Sequence, residues 1–234
     1  MNDRAQTYGG LAAGQSGPIS QTEQQRVLRN TYMLLALSMV PTVLGAWIGV
    51  ATGVMAAMSP GVSMVVFLVG AFGLMFAVEK TKHSATGVAV LLAFTFFMGL
   101  MLSRMLAAVL GFSNGASLIM MAFGGTALVF FSMAALAGVI KRDLSGMGKF
   151  LMVGAIMLFV AFIVNFFVQS SAMMVALSVI CVGLFSAFML YDIKRVIDGG
   201  ETNYISATLA IYLDIYNVFQ SLLALLGIFG GERD

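Results

Sequence analysis

Seven long apolar stretches follow one another after residue 30, and few charged residues interrupt them. A helix needs about 20 apolar residues to cross the hydrocarbon core of a bilayer. Only 9% of the residues are charged, whereas an ordinary soluble domain has about 25%. Because so few charges cannot cover a water-soluble fold, the sequence predicts an all-α polytopic membrane protein with seven transmembrane helices. The predicted spans are residues 31–52, 62–78, 87–106, 117–140, 150–168, 172–193 and 206–229.

The first 25 residues differ from the rest, since they are polar and rich in Gly, Ser and Gln. They lack the apolar stretch that a signal peptide requires. We therefore expect residues 1–25 to form a disordered tail, and residues 26–234 to form a single seven-helix transmembrane domain. Small residues inside the spans, such as Gly124-Gly125-Thr126, predict close approach of helices within the bundle.

Positive charges are distributed unevenly across the predicted membrane. Of the 12 Lys and Arg residues, only Arg104 and Arg233 lie on one side of the predicted membrane. The other ten Lys and Arg residues lie on the opposite side: Arg4, Arg26, Arg29, Lys80, Lys82, Lys141, Arg142, Lys149, Lys194 and Arg195. Because Lys and Arg accumulate in cytoplasmic loops, this asymmetry predicts a cytoplasmic N-terminus and a C-terminus on the outer side.

Several function classes lack support in the sequence. The net charge of +2 is too small to indicate a nucleic-acid partner, and a single cysteine, Cys181, cannot form an internal disulfide. We find no phosphate-binding loop and no dinucleotide-binding motif. The one histidine, His83, lies in a charged loop and cannot build a metal site alone. No complete catalytic constellation is present, so we expect a protein that is not an enzyme and needs no cofactor.

The most informative residues are two aspartates. Asp214 lies in the last span, roughly 12 Å from its start at 1.5 Å per residue, with apolar neighbours. An ionisable side chain at that depth is costly and is a candidate functional group. Asn217, three residues later on the same face, is expected to hydrogen-bond this carboxyl group. Asp192 lies roughly 7 Å from the end of the sixth span, so the two depths differ by about 5 Å, which helix tilt can absorb.

A contact between these aspartates would have a chemical consequence. Two close carboxyl groups in a low dielectric cannot both ionise cheaply, so the pair would respond to pH. Once ionised, its oxygens would also suit a hard cation such as calcium. The alternatives are that Asp192 pairs with Lys194 or Arg195, and that Asp214 is a hydrogen-bonded structural acid. Asn165 is expected to hydrogen-bond within the bundle.

Aspartates on two adjacent helices also occur in intramembrane aspartyl proteases. Tyr191-Asp192 resembles half of that signature. The other half, Gly-x-Gly-Asp, is absent, because residues 211–214 read Ile-Tyr-Leu-Asp. The Pro-Ala-Leu element of that family is excluded as well, since the last proline is Pro60. The sequence therefore argues against proteolytic activity.

Four further segments of the chain are informative. They are Val27-Leu28-Arg29-Asn30-Thr31-Tyr32, Phe123-Gly124-Gly125-Thr126-Ala127-Leu128-Val129-Phe130-Phe131, Lys141-Arg142-Asp143-Leu144-Ser145 and Gly199-Gly200-Glu201-Thr202-Asn203-Tyr204-Ile205. These segments resemble the Bax inhibitor/YccA family of small seven-helix membrane proteins, and the first and last of them resemble its bacterial YccA branch. The similarity extends over nearly the whole chain after residue 26.

The resemblance implies six helices around a central seventh, in the inner membrane of a bacterium with the C-terminus in the periplasm. It also implies a function: the YccA branch is associated with modulation of FtsH, a membrane-anchored ATP-dependent protease. Other members resemble pH-sensitive calcium leak channels closed by a carboxylate pair on the last two helices. Asp192 and Asp214 occupy the positions of that pair. We therefore expect a non-enzymatic modulator of FtsH, or alternatively a pH-gated leak for calcium or protons.

The leak-type members place an arginine near the cytoplasmic end of the second helix as a partner for the pair. The present chain has Lys80 and Lys82 in that region. A lysine can replace the arginine as a point charge, but it cannot supply the planar fork of a guanidinium. Lys80 and Lys82 are therefore the expected supporting cations of the acid pair.

Overall fold

A computed structural model describes residues 21–232, and within that range the chain forms seven α-helices and no strand. Each helix is long and apolar enough to cross a membrane, so the prediction of an all-α membrane protein with seven spans is confirmed. The helices are α1 Gln21–Thr52, α2 Pro60–Thr81, α3 Ala85–Leu110, α4 Gly115–Val139, α5 Met147–Val168, α6 Ser171–Ile197 and α7 Tyr204–Gly230.

The first helix begins earlier than its apolar stretch. α1 starts at Gln21, so residues 21–25, assigned from the sequence to the tail, are helical. Gln and Arg favour helices, and Glu23 in the first turn interacts favourably with the helix dipole. The remainder of the predicted tail, residues 1–20, lies outside the described residues. α1 continues through Pro41 without interruption.

The C-terminal helix is the most enclosed element. α7 contacts α1, α2, α3, α4 and α6. Half of the residues in its most apolar stretch are buried, compared with 11% for α2. A helix that is apolar around most of its circumference is stable at the centre of a bundle. The chain therefore wraps its earlier helices around the last one.

α1 and α3 approach each other closely through glycines. A Cβ atom at Gly99 would overlap the carbonyl oxygen of Thr42, and one at Gly45 would overlap the carbonyl oxygen of Phe96. The absence of side chains here lets the two backbones pack directly, as small residues commonly allow in membranes. By contrast, no atom lies within 4 Å of a Cβ built at Gly124. Within the predicted segment Gly124-Gly125-Thr126, a Cβ at Gly125 would lie 3.2 Å from Leu222 Cδ1 of α7. The direct approach of two backbones is found between α1 and α3.

The outer surface of the bundle is apolar. α5 packs mainly on α6, and its Phe159 also makes an edge-to-face ring contact with Phe72 of α2. Phe150 and Phe167 of α5 are 81% and 72% exposed. Such exposure would be unfavourable in water but suits a lipid environment. The polar groups of the bundle accordingly lie inside it or at its ends.

Candidate functional site

Asp192 and Asp214 contact each other through their side chains. Asp192 lies in the last two turns of α6, and Asp214 lies about 15 Å along α7 from Tyr204. The two helices pack against each other in opposite directions. Their carboxyl groups come within hydrogen-bonding distance of each other. The structure thus brings together the two acids that the sequence analysis singled out.

The two acids differ in their surroundings. Asp214 is only 3% exposed, and its Oδ2 atom has no hydrogen-bond partner within residues 21–232. Asp192 is half-buried and lies closer to the end of the bundle. A buried carboxyl oxygen without a partner is costly, because it has lost its hydration without compensation. Asp214 is therefore the less satisfied member of the pair.

A hydrogen bond between two carboxyl groups requires a proton on one of them. Removing that proton would place two negative charges side by side where the dielectric constant is low, and their repulsion would be strong. Such a hydrogen bond would couple the contact between α6 and α7 at this level to the binding of one proton.

Two charged residues influence the pair from the end of α6 and the turn that follows. Arg195 and Glu201 lie near enough to Asp192 to interact with it electrostatically. They also face each other, with Arg195 Nη2 3.5 Å from Glu201 Oε2. Lys194 donates instead to Asp198 Oδ1 at 2.6 Å. The alternative in which Asp192 forms an ion pair with Lys194 or Arg195 is therefore not what the structure shows.

The predicted supporting lysines lie at the same end of the bundle but engage other groups. Lys80 lies over the ring of Phe76, and Lys82 forms an ion pair with Glu79. Neither contributes a charge interaction to the aspartate pair. The prediction failed because spacing along the sequence gives the level of a residue in the membrane but not the direction of its side chain.

Neither asparagine binds the acid pair, although Asn165 hydrogen-bonds within the bundle as predicted. Asn217 donates to the carbonyl oxygen of Leu213 at 2.8 Å rather than to Asp214. An amide side chain in a helix can reach the carbonyl four residues back, and this local bond competes with longer-range ones. Asn165 accepts a bond from the backbone N–H of Ser170 at 3.2 Å, and so supports the turn between α5 and α6. That turn is at the opposite end of α6 from the acid pair.

The sequence analysis missed two tyrosines on the other side of α7. The hydroxyl of Tyr212 lies 2.9 Å from Thr42 Oγ1 and donates to the carbonyl oxygen of Thr95. The hydroxyl of Tyr216 donates to the carbonyl oxygen of Met98 at 3.1 Å. The sequence did contain a signal for these tyrosines, because their spacing of four residues places both rings on one helix face. These bonds tie α7 to α1 and α3.

The pair alone offers too few ligands for a tightly bound metal ion. Calcium takes six to eight oxygen ligands, and two carboxyl groups supply four at most. Within residues 21–232, no three His, Cys, Asp or Glu side chains are grouped closely enough to share a metal ion. Any cation at Asp192 and Asp214 would need water or backbone oxygens to complete its coordination shell.

These features define a polytopic membrane protein whose central C-terminal helix carries a buried carboxyl group in contact with a second acid. The family model described as Inhibitor of apoptosis-promoting Bax1 matches residues 24–231. The chain belongs to this family, and the resemblance drawn from the four sequence segments is confirmed.

The similar proteins are bacterial and of nearly the same length. The chain is 40% identical over 202 residues to the Modulator of FtsH protease YccA of Escherichia coli, covering 86% of this chain and 90% of that protein. A second Escherichia coli relative with the same identity is named Inner membrane protein YccA. An uncharacterised protein of Pseudomonas aeruginosa is 40% identical over 217 residues, which cover 93% of this chain and 96% of that one.

Proposed function

We propose that this protein is a non-enzymatic modulator of the membrane-anchored protease FtsH. The observation that carries the proposal is the 40% identity, over 86% of the chain, to a protein named as a modulator of that protease. The near-equal lengths of the two proteins support transfer of the role to the whole chain. The protein would act in a bacterial inner membrane, with its N-terminus in the cytoplasm and its C-terminus in the periplasm.

The acid pair gives this modulator a means of responding to pH. α7 contacts five other helices, so a change where Asp214 meets Asp192 would be felt by most of the bundle. When the shared proton is lost, repulsion between the carboxylates would shift α6 relative to α7. A protease that binds one arrangement more tightly than the other would then be modulated according to the proton concentration.

A reconstituted system tests this proposal. Purified FtsH and the protein are placed in the same liposomes, and degradation of a membrane-protein substrate is followed with increasing amounts of the protein. We expect the two proteins to copurify and the degradation rate to change with dose. Asp214→Asn should alter the pH dependence of that change, whereas Glu232→Gln, an exposed carboxyl-to-amide control, should not. Absence of binding together with an unchanged rate would refute the proposed role.

A second candidate function is a pH-gated leak for calcium or protons. The observation that favours it is the buried Asp214 Oδ2 atom, which has no hydrogen-bond partner among the described residues. Such an oxygen is available to a passing cation once the pair opens. This function requires no partner protein, so it is separable from the first by experiment.

Ion flux into liposomes that contain only the purified protein discriminates between the two functions. A calcium-sensitive dye and a proton-sensitive dye are monitored across a pH series. A leak predicts a flux that depends on pH in the wild type and loses that dependence in Asp214→Asn. Flux equal to that of empty liposomes would exclude the leak and leave the role in modulation standing.

A further inference from the structure

A cavity of about 300 Å³, lined by several charged side chains, lies at the same end of the bundle as the acid pair. One wall is the connection between α4 and α5, with Asp143 and Ser145, and the other is the end of α6, with Tyr191, Lys194 and Arg195. Asp192 does not line it, because the cavity faces a different side of α6. The cavity is therefore distinct from the acid pair itself, and Arg195 lies near both.

The cavity walls carry both signs of charge. Asp143 accepts from the backbone N–H and the hydroxyl of Ser145, at 2.8 and 2.9 Å. On the opposite wall, Asp198 accepts a hydrogen bond from Lys194 at Oδ1, and the Asp198 side chain is 46% exposed. The side chain of Arg195 is also 46% exposed. A carboxylate has about four acceptor positions and a guanidinium five donors, so all three side chains retain capacity for a ligand.

The cavity also lies where the apolar surface of the bundle ends. Val139, the last residue of α4, is 76% exposed, and Phe150 near the start of α5 is 81% exposed. Between them are the exposed cations Lys141, Arg142 and Lys149. A change from exposed apolar residues to exposed lysine and arginine is typical of the level at which lipid head groups meet the protein.

We propose that this cavity binds the head group of a membrane phospholipid that carries both a phosphate and a primary ammonium, as phosphatidylethanolamine does. The phosphate accepts hydrogen bonds from Arg195 and from the hydroxyl group of Tyr191. The ammonium, two carbons away, donates to Asp143 and Asp198. Each charge of the head group thus meets side chains of the opposite charge in the cavity.

Lipid binding to the full-length protein, delipidated in detergent and followed by native mass spectrometry, tests this assignment. The probes are phosphatidylethanolamine, phosphatidylcholine and phosphatidylglycerol with identical acyl chains. Phosphatidylcholine keeps both charges but cannot donate hydrogen bonds from its quaternary ammonium. We expect phosphatidylethanolamine to bind about fivefold more tightly than phosphatidylcholine, as suits a few half-exposed charged contacts.

Substitutions test which side chains bind the ammonium and which bind the phosphate. Asp143→Asn should lower the affinity for phosphatidylethanolamine and leave that for phosphatidylglycerol unchanged, whereas Arg195→Gln should lower both. Arg26→Gln removes an exposed arginine from α1, at the same end of the bundle but away from the cavity, and should change neither.

Four results would overturn the proposal. They are equal binding of phosphatidylethanolamine and phosphatidylcholine, preference for phosphatidylglycerol, an effect of Arg26→Gln as large as that of Arg195→Gln, and binding of soluble phosphoethanolamine as tight as that of the lipid. The last result would assign the cavity to a soluble ligand instead.

Discussion

The hydroxyl of Tyr212 lies 2.9 Å from Thr42 Oγ1, so the central helix α7 is hydrogen-bonded to α1 on the face turned away from Asp214. The same hydroxyl donates to the carbonyl oxygen of Thr95 in α3. One side of α7 is thereby anchored by neutral hydrogen bonds, and the other side meets an ionisable group on α6. A proton-dependent displacement at Asp214 would accordingly move α6 rather than α1 or α3.

Removing the Tyr212 hydroxyl should weaken this anchor. Tyr212→Phe keeps the ring, which packs edge-to-face on Phe94, but loses the bonds to α1 and α3. We expect a loss of about 0.6 to 1.5 kcal/mol in the free energy of unfolding, the range found for hydrogen bonds inside bundles. Unfolding in mixed detergent micelles measures it. Tyr32→Phe, at a half-buried ring that packs on Phe130, is the matched control, and an equal loss there would contradict the assignment.

Adding one methyl group at Gly99 should separate α1 from α3. Gly99→Ala places a Cβ against the backbone carbonyl of Thr42, which has no flexible side-chain atom to move aside. Overpacking of this kind costs about 1–3 kcal/mol. Thermal unfolding of the purified protein should show a lower midpoint. Gly124→Ala introduces the same methyl group where no atom lies within 4 Å, and should be neutral or slightly stabilising because alanine favours a helix.

The stability of the bundle should fall as pH rises through the titration of the acid pair. The hydrogen bond between Asp192 and Asp214 holds one proton, so it is lost when that proton dissociates at higher pH. Asp214→Asn supplies an amide N–H that can donate to Asp192 at any pH, because this donor does not titrate. We expect unfolding midpoints across a pH series to decline in the wild type and to lose this component in the variant. Parallel slopes for the two proteins would show that the pair does not cause the decline.

Asp143, in the loop between α4 and α5, is a titratable group outside the membrane-spanning helices. The backbone N–H and the hydroxyl of Ser145 both donate to Asp143 and hold its pKa below the ordinary value. These bonds support the loop above the lowered pKa and are lost as pH falls through it. Ser145→Ala removes the hydroxyl, so the pKa of Asp143 should move back up, as measured by NMR of its carboxyl carbon. Ser145→Thr keeps the hydroxyl and should leave the pKa where it is.

Hydropathy predicted the number of helices and placed most of their ends within a few residues, because the bilayer sets a minimum length for every span. It also gave the level of Asp192 and Asp214 along their helices. It did not give the direction in which a side chain points around the helix axis. For that reason the sequence assigned Lys80 and Asn217 to the pair, whereas they engage Phe76 and the carbonyl oxygen of Leu213.

The tight contact of α1 with α3 was missed for a related reason. Gly45 and Gly49 have the spacing of a helix-packing motif, but Gly124-Gly125 has an equally small pair of residues. Which of these faces a neighbouring backbone depends on the arrangement of all seven helices. Local composition can therefore suggest that close packing occurs somewhere, while the pairing of helices decides where.

The enclosed position of α7 has a consequence for biogenesis. This helix leaves the ribosome after the other six, so α1 to α4 and α6 are synthesised before the helix against which they pack exists. During that interval Thr42, Thr95 and Asp192 lack the α7 side chains that they contact in the finished bundle. The earlier helices therefore enter the bilayer without their central partner, and the bundle is completed only when α7 arrives. A chain interrupted before α7 would leave these polar groups without their partners inside the membrane.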